Sequence, residues 1–345
     1  MSGVSFAQRL VDWQRQHGRH DLPWQNTRDP YRVWLSEIML QQTQVSTVRA
    51  YFARFTERFP TVSDLAAASE DEVLALWSGL GYYSRARNLH RAAQDVMQRH
   101  GGVFPSTAQQ LVTLPGIGPS TAAAIASLCF EERVAILDGN VKRVLTRHQG
   151  YGEDLAVVTH ERALWALAAQ LLPQRAQDMP VYTQAVMDLG ATVCTPRQPR
   201  CAVCPVRVDC VAHADAAPER YPVKTRRLKR STQSWWWLVA RAADGRIWLT
   251  QRGEQGIWAK LHCVPMFESW DLLRQGLSTT HQAKLQALPA FKHVLTHRDL
   301  FLHPVILPLT RLPAWHGGVW VAPHEVEVYG IPAPLRQLLT TLDDA

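Results

Sequence analysis

The stretch LPGIGPSTAAAIASLCF, residues 114–130, followed by Leu137-Asp138-Gly139-Asn140-Val141, decides how this chain is read. The two glycines of Leu114-Pro115-Gly116-Ile117-Gly118 permit a tight turn between helical patterns, with backbone N–H groups facing outward. Such a hairpin at a helix N-terminus holds a phosphate through amides and the helix dipole and reads no base sequence; taken alone it is equally a plain turn between packed helices. Asp138 opens the next helical pattern, where a single aspartate most often serves as an N-cap.

Helical periodicity extends outward from this segment, from Asp29 to about Val211. Asp29-Pro30 predicts an N-cap followed by proline at the first helical position, opening a helix that carries Val33, Trp34, Ile38 and Val45. Further helices are predicted over residues 62–77, 84–100, 107–113, 120–130, 141–149, 159–172 and 182–189, which makes this part all-α. Residues 214–232 lack an apolar face and read as a linker. Beyond them, residues 235–241 and 247–251 flank Asp244-Gly245 as a β-hairpin, 291–297 and 300–307 are strand-like, and 270–286 and 333–342 are helical, an α+β pattern.

The chain has 345 residues and is 46% hydrophobic, which exceeds one ordinary domain and predicts two. The first ten residues lack a long apolar region, and the longest nearly apolar run, residues 121–130, is about half of a membrane span, so a soluble, cytoplasmic protein is expected. The net charge of +7 is uneven: residues 214–232 alone hold six basic against two acidic side chains. That basic segment suits phosphate attraction and equally a linker kept soluble by charge. Of six cysteines, Cys194, Cys201, Cys204 and Cys210 crowd into one short segment, which favours a metal or cluster over disulfides, while Cys129 and Cys263 sit in apolar surroundings as core residues.

Glu37 stands beside Trp34, Ile38 and Gln41 of one helical pattern, on or next to its apolar stripe. A carboxyl group desolvated there has a raised pKa, as a general acid near neutral pH requires.

The hairpin, the alanine-rich helix and Asp138 come in the order and spacing of the helix-hairpin-helix DNA glycosylase superfamily, which the sequence resembles. It is most similar to the MutY adenine glycosylases, through Leu22-Pro23-Trp24, residues 34–43 (WLSEIMLQQT), Gly79-Leu80-Gly81-Tyr82-Tyr83, the hairpin, Asp138-Gly139-Asn140-Val141 and Met187-Asp188-Leu189-Gly190. The resemblance implies a six-helix barrel over residues 29–136 and an iron-sulfur helical domain from residues 1–28 and 137–213. A basic linker over 214–232 and a Nudix-like 8-oxoguanine recognition domain over 233–345 would follow.

The implied activity is monofunctional removal of adenine from A·8-oxoguanine or A·G mispairs in double-stranded DNA, by a monomer that flips the base. Glu37, Asp138 and Asn140 are then catalytic: Glu37 protonates the adenine ring and later activates water, and Asp138 stabilises the oxocarbenium-like sugar. Trp24, Leu40 and Gln184 line the adenine pocket. Gln42, Leu80 and Tyr82 enter the duplex, and Leu114, Gly116, Gly118, Ser120 and Lys142 complete the DNA surface. Relatives that also break the strand use a lysine where this chain has Ser120, and a hydroxyl cannot form the imine. Lys142 is expected to meet a phosphate or lie on a solvated face.

The four cysteines, spaced C-x6-C-x2-C-x5-C, hold a 4Fe-4S cluster by resemblance, although the thiolates alone suit zinc equally. Arg197, Arg200 and Arg207 between them could meet phosphates. In the last domain, Leu295-Thr296-His297 stands where the family has Phe-Ser-His to probe 8-oxoguanine, and Thr43 is assigned to the same task; the Nudix hydrolase signature is absent. The rival readings are a bifunctional lyase for damaged pyrimidines and a non-catalytic iron-sulfur protein that scans DNA.

Overall fold

A computed structural model describes residues 4–225 and 229–343. Contacts divide the chain into two compact units, Met1–Ala66 with Arg91–Arg227 and Ala67–His90 with Leu228–Ala345. The helices are α1 (Phe6–His17), α2 (Pro30–Leu40), α3 (Val45–Arg58), α4 (Val62–Ala67), α5 (Glu70–Trp77), α6 (Tyr83–His100), α7 (Ala108–Leu111), α8 (Pro119–Phe130), α9 (Gly139–Gln149), α10 (Val158–Gln170), α11 (Met179–Thr192) and α12 (Val211–Ala214), then α13 (Trp270–Gln275), α14 (Thr279–Gln282) and α15 (Ala333–Asp343). Among the described residues, no helix is long and apolar enough to cross a membrane.

Caps explain the boundaries. Asp29 accepts from Tyr31 N at 3.0 Å and Pro30 fills the first helical position, so α2 begins where the sequence predicts. It does not reach Val45. The chain leaves the helix at Gln41, Gln42 takes φ 58°, and Val45 opens α3 instead. The single helix expected over residues 62–77 is two, because Ser69 caps a new one by accepting from Glu72 N at 3.2 Å. Residues 107–113 give only the short α7, and the helix expected over 270–286 breaks into α13, α14 and a bridge-length strand.

In the first unit, α1 packs with α8, α9, α10 and α11 around a core that includes Leu10, Val144, Leu164, Met179, Val186 and Leu189. Helix α11 approaches α9 so closely that a Cβ on Gly190 would lie 2.8 Å from Asn140 Cβ. Only glycine at that place lets the two backbones meet.

The expected linker is partly ordered against this unit. Leu155 N donates to Val223 O at 3.1 Å, Thr225 bonds Asp154, and Arg147 Nε reaches Tyr221 O at 3.3 Å. Its polar sequence hides these contacts because they run to backbone carbonyls and one carboxylate far away in sequence, which apolar periodicity does not display. Arg226, Arg227 and Leu228 of the same segment lie outside the described residues, and Ser231 and Thr232 already belong to a strand.

In the second unit β1 (Ser231–Ala242), β2 (Ile247–Gln251), β3 (His262–Cys263), β4 (Met266–Phe267), β5 (Gln286–Ala287), β6 (Phe291–Val294), β7 (Arg298–Leu309) and β8 (Val319–Val321) form one mixed sheet of central order β3-β2-β1-β7-β5. The β1–β2 hairpin forms as predicted, and β1 runs parallel to β7 over its whole length. Trp237, Leu238, Val239 and Ala240 are all buried, which suits a central strand covered on both faces.

Candidate active site

A cavity of about 1070 Å³ opens in the first unit, and α2, α8, α9 and α11 each contribute to its wall. Of the expected residues, Glu37, Asp138, Asn140, Trp24, Leu40, Gln184, Gln42, Thr43 and Ser120 all line it.

Glu37 is surrounded by protein yet retains some accessible surface, because its carboxyl group faces the cavity. Burial pushes its pKa up to about 7, and the nearby Asp138 charge pushes in the same direction. Asp138 is the N-cap of α9 as well as a cavity group: its Oδ1 accepts from Val141 N at 2.7 Å. Burial raises its pKa, while hydrogen bonds from the Val141 and Asn140 amides and the charges of Arg143 and Lys142 oppose the rise. Burial and a neighbouring negative charge therefore act together on one carboxyl group, while on the other hydrogen-bond donors and cations offset part of the burial.

Trp24 is buried edge-on against Phe52, with ring centroids 5.3 Å apart. Gln184 lines the cavity and donates Nε2 to Asp188 Oδ1 at 2.9 Å, a bond that uses its amide nitrogen and not its carbonyl oxygen. Asp188 itself is wholly buried, and Arg19 holds it with its backbone N–H at 2.9 Å, Nε at 2.8 Å and Nη2 at 2.6 Å. Ser120 Oγ accepts from Leu137 N at 3.0 Å, a tie between α8 and the segment leading to Asp138. Thr43, expected at the 8-oxoguanine, donates to Gln41 O at 3.3 Å.

Other expected residues stand elsewhere. The hairpin has Gly116 at φ 76° with Leu114 buried, and Gly118 caps α8 with open space where a side chain would project. Lys142 pairs through Nζ with Glu161 Oε1 at 2.5 Å. Arg200 and Arg207 are exposed but donate to the carbonyls of Thr192 and Ala202. In the second unit, Leu80 is buried, 5% exposed, so of the two residues expected to enter the duplex there, Tyr82 is the exposed one. Leu295-Thr296-His297 forms the turn between β6 and β7, closed by Leu295 N donating to Arg298 O at 2.8 Å, with Thr296 and His297 exposed and Thr296 bonded to Tyr82.

Cys194, Cys201, Cys204 and Cys210 line one small cavity together. Among the described residues, no group of three or more His, Cys, Asp or Glu side chains is arranged to hold a single metal ion. Burial pushes the Cys204 thiol up to about 12, so the thiolates need a bound positive centre to form there. Cys263 is fully buried as expected, and Cys129 half-buried.

Two arginines that the sequence reading passed over join these sites. Arg143 donates Nη2 to Asn140 Oδ1 at 2.9 Å and to Gly190 O at 2.7 Å, and Nε to Cys194 O at 2.7 Å. Arg147, one turn on, reaches Cys194 Sγ at 3.4 Å and Thr195 O at 2.7 Å. Both lie on the Asn140 face of α9 at helical spacing, and two cations on a face that must be buried are the signal that marks them.

A profile of the HhH-GPD superfamily of base excision DNA repair proteins matches residues 35–170, and a NUDIX domain profile matches residues 236–341. The adenine DNA glycosylase of Buchnera aphidicola from Acyrthosiphon pisum is 34% identical, over 98% of this chain and 98% of its own. The chain belongs to the adenine DNA glycosylases. Like other members of that family it is an enzyme acting on N-glycosidic bonds in DNA, with a helical glycosylase part followed by a Nudix-like part built on a mixed sheet. The mouse adenine DNA glycosylase is 47% identical over 61% of this chain and 42% of its own length. A thermostable thymine-DNA glycosylase structure matches 61% of this chain and 95% of its own at 28% identity and TM-score 0.53. An endonuclease III–DNA complex, at 20% identity and TM-score 0.51, shares the fold over 61% of this chain and 94% of its own.

Proposed function

We propose that this adenine DNA glycosylase removes adenine mispaired with 8-oxoguanine or guanine, with Glu37 as general acid and Asp138 as the charge that steadies the sugar. The observation that carries this reading is the pair of carboxyl groups on one cavity, with Glu37 raised to about 7 beside an Asp138 fixed by amides. An extruded adenine enters beside Trp24 and Leu40, and the Gln184 carbonyl accepts from its exocyclic amine. Glu37 protonates the ring, the glycosidic bond breaks with its electron pair leaving on the base, and Asp138 faces the cationic sugar. The Glu37 carboxylate then takes a proton from the attacking water.

No amine stands at position 120, and Lys142 is engaged by Glu161, so the reaction ends at an abasic site without strand cleavage. The four cysteines fit a 4Fe-4S cluster: thiols arranged around a shared cavity suit a polynuclear centre, which needs volume between its ligands. The cluster supplies a covalent staple for the loop between Cys194 and Cys210. Arg143 and Arg147 connect that staple to the helix that Asp138 caps. The domain limits proposed are those read from the sequence, with the Leu295-Thr296-His297 turn presented to the base opposite adenine.

The test is release of adenine from duplexes carrying adenine opposite 8-oxoguanine or guanine. Base release from both, with strand breaks only after alkali, is expected. Intact adenine after incubation with brown, iron-loaded protein would contradict the proposal.

A further inference from the structure

The turn Gly79-Leu80-Gly81-Tyr82-Tyr83 joins α5 to α6 and presents Tyr82 at its tip, 38% exposed, with φ 52°. Within the turn, Trp77 Nε1 and Arg85 Nη2 both donate to Gly81 O, at 3.0 and 3.2 Å. Its two ends meet at a single atom far along the chain. Ser78 Oγ donates to the carbonyl oxygen of Ile331 at 3.0 Å, and Tyr83 Oη donates to the same oxygen at 3.2 Å. Gly79 N donates back to Tyr83 Oη at 3.4 Å, so the tyrosine hydroxyl is used in both directions.

Ile331 is wholly buried. The segment that carries it is pressed onto α5: a Cβ on Gly330 would come within 2.6 Å of Leu74 Cβ and 3.3 Å of the Leu74 backbone. The Gly330 carbonyl is held in turn by His262 N of β3 at 2.8 Å. A buried carbonyl with two hydroxyl donors is costly to strip, and its partners have little freedom to move independently.

We infer that the Ile331 carbonyl is a brace for the duplex-entering turn, with Ser78 and Tyr83 as positioning residues for base extrusion. The brace lies in the Tyr329–Pro332 segment, beyond the last strand of the sheet. This rests on the reading that Tyr82 enters DNA. Two ends tied to one fixed oxygen hold the span between Ser78 and Tyr83 constant, so the exposed Tyr82 ring is delivered in one orientation. Loss of both hydroxyls removes the tie at the Ile331 oxygen and leaves the Gly81 carbonyl held by Trp77 and Arg85 and the Tyr82 hydroxyl bonded to Thr296, contacts that do not fix the distance between the two ends of the turn. The ring then samples several orientations, and extrusion slows although no cavity group has changed.

The experiment is stopped-flow fluorescence of 2-aminopurine placed beside the target adenine, with single-turnover adenine release in parallel, for the wild type and Ser78→Ala with Tyr83→Phe. The double variant is expected to slow both the fluorescence rise and release from the A·8-oxoguanine duplex by about tenfold. It should cut an adenine opposite an abasic site, where little unpairing is needed, within about twofold of the wild type. Ser78→Thr with Tyr83 unchanged, which keeps both hydroxyl donors, should hold the wild-type rate. A wild-type fluorescence rise in the double variant, or equal slowing on both substrates, overturns the inference. If the double variant does not fold, Tyr83→Phe alone reads the same difference on the same oxygen. Fluorescence reports extrusion even where nothing is cut, so a wild type that extrudes but releases no adenine counts against the proposed activity while the variant still judges the brace.

Discussion

The two carboxyl-bearing walls of the cavity are built by opposite means. Glu37 sits in the middle of α2 among buried apolar neighbours, and burial and the Asp138 charge are what act on it; Asp138 sits at the start of α9, where backbone amides point at it. The first environment raises its group's pKa to about 7; in the second, burial also raises the pKa, but amide hydrogen bonds and the charges of Arg143 and Lys142 hold back part of the rise. Under the proposed function, a pair of like residues takes an acid role and an electrostatic role through the different elements that carry them.

Removing the acid should have the largest effect. Glu37→Gln keeps the shape of the group but not the proton, and single-turnover adenine release is expected to fall by about 10³-fold or more while mismatch binding persists. Undiminished release would show that the α2 wall is not the acid. On the other wall, Asp138→Asn retains an oxygen to accept from Val141 N, so α9 stays capped and only the charge is lost. Release should drop by about 10²-fold with the melting temperature near the wild type; a collapse of stability would mean that capping is its chief task.

A smaller effect sharpens the same contrast through stability. The folded chain holds Glu37 at about 7 against 4.5 for the free group, so the folded state keeps a proton that the unfolded chain releases. That contribution is fully present below about 4.5 and is lost as pH rises through about 7. Glu37→Gln should therefore be more stable than the wild type at pH 8, on the order of 2 kcal/mol, and nearly equal to it at pH 4. Denaturant titrations at the two pH values check the sign.

What the sequence disclosed follows the same division between local and long-range physics. The caps at Asp29 and Asp138 and the glycines of the hairpin are local patterns, and the chain folds there as they indicate; the clustered cysteines come to one small cavity. The α2 register sets Glu37 beside Trp34 and Ile38, neighbours that are also local. Arg143, Arg147 and the Arg19–Asp188 pair were passed over because each acts through carbonyls or carboxylates distant in sequence, which no periodicity displays. The break at Ser69 and the early end of α2 were missed because apolar spacing continued across them while the hydrogen bonds did not. Leu80, assigned to the duplex by resemblance, is only 5% exposed, a burial set by the residues packed over the turn rather than by its local sequence.

The central claim is that Glu37 is sheltered and holds its proton near neutrality. Carbon-13 NMR of the protein labelled at glutamate carboxyl carbons, with the Glu37 resonance identified by its disappearance in Glu37→Gln, measures this directly. A titration midpoint close to 7 is the predicted result. A midpoint near 4.5, that of a solvated glutamate, would contradict the account.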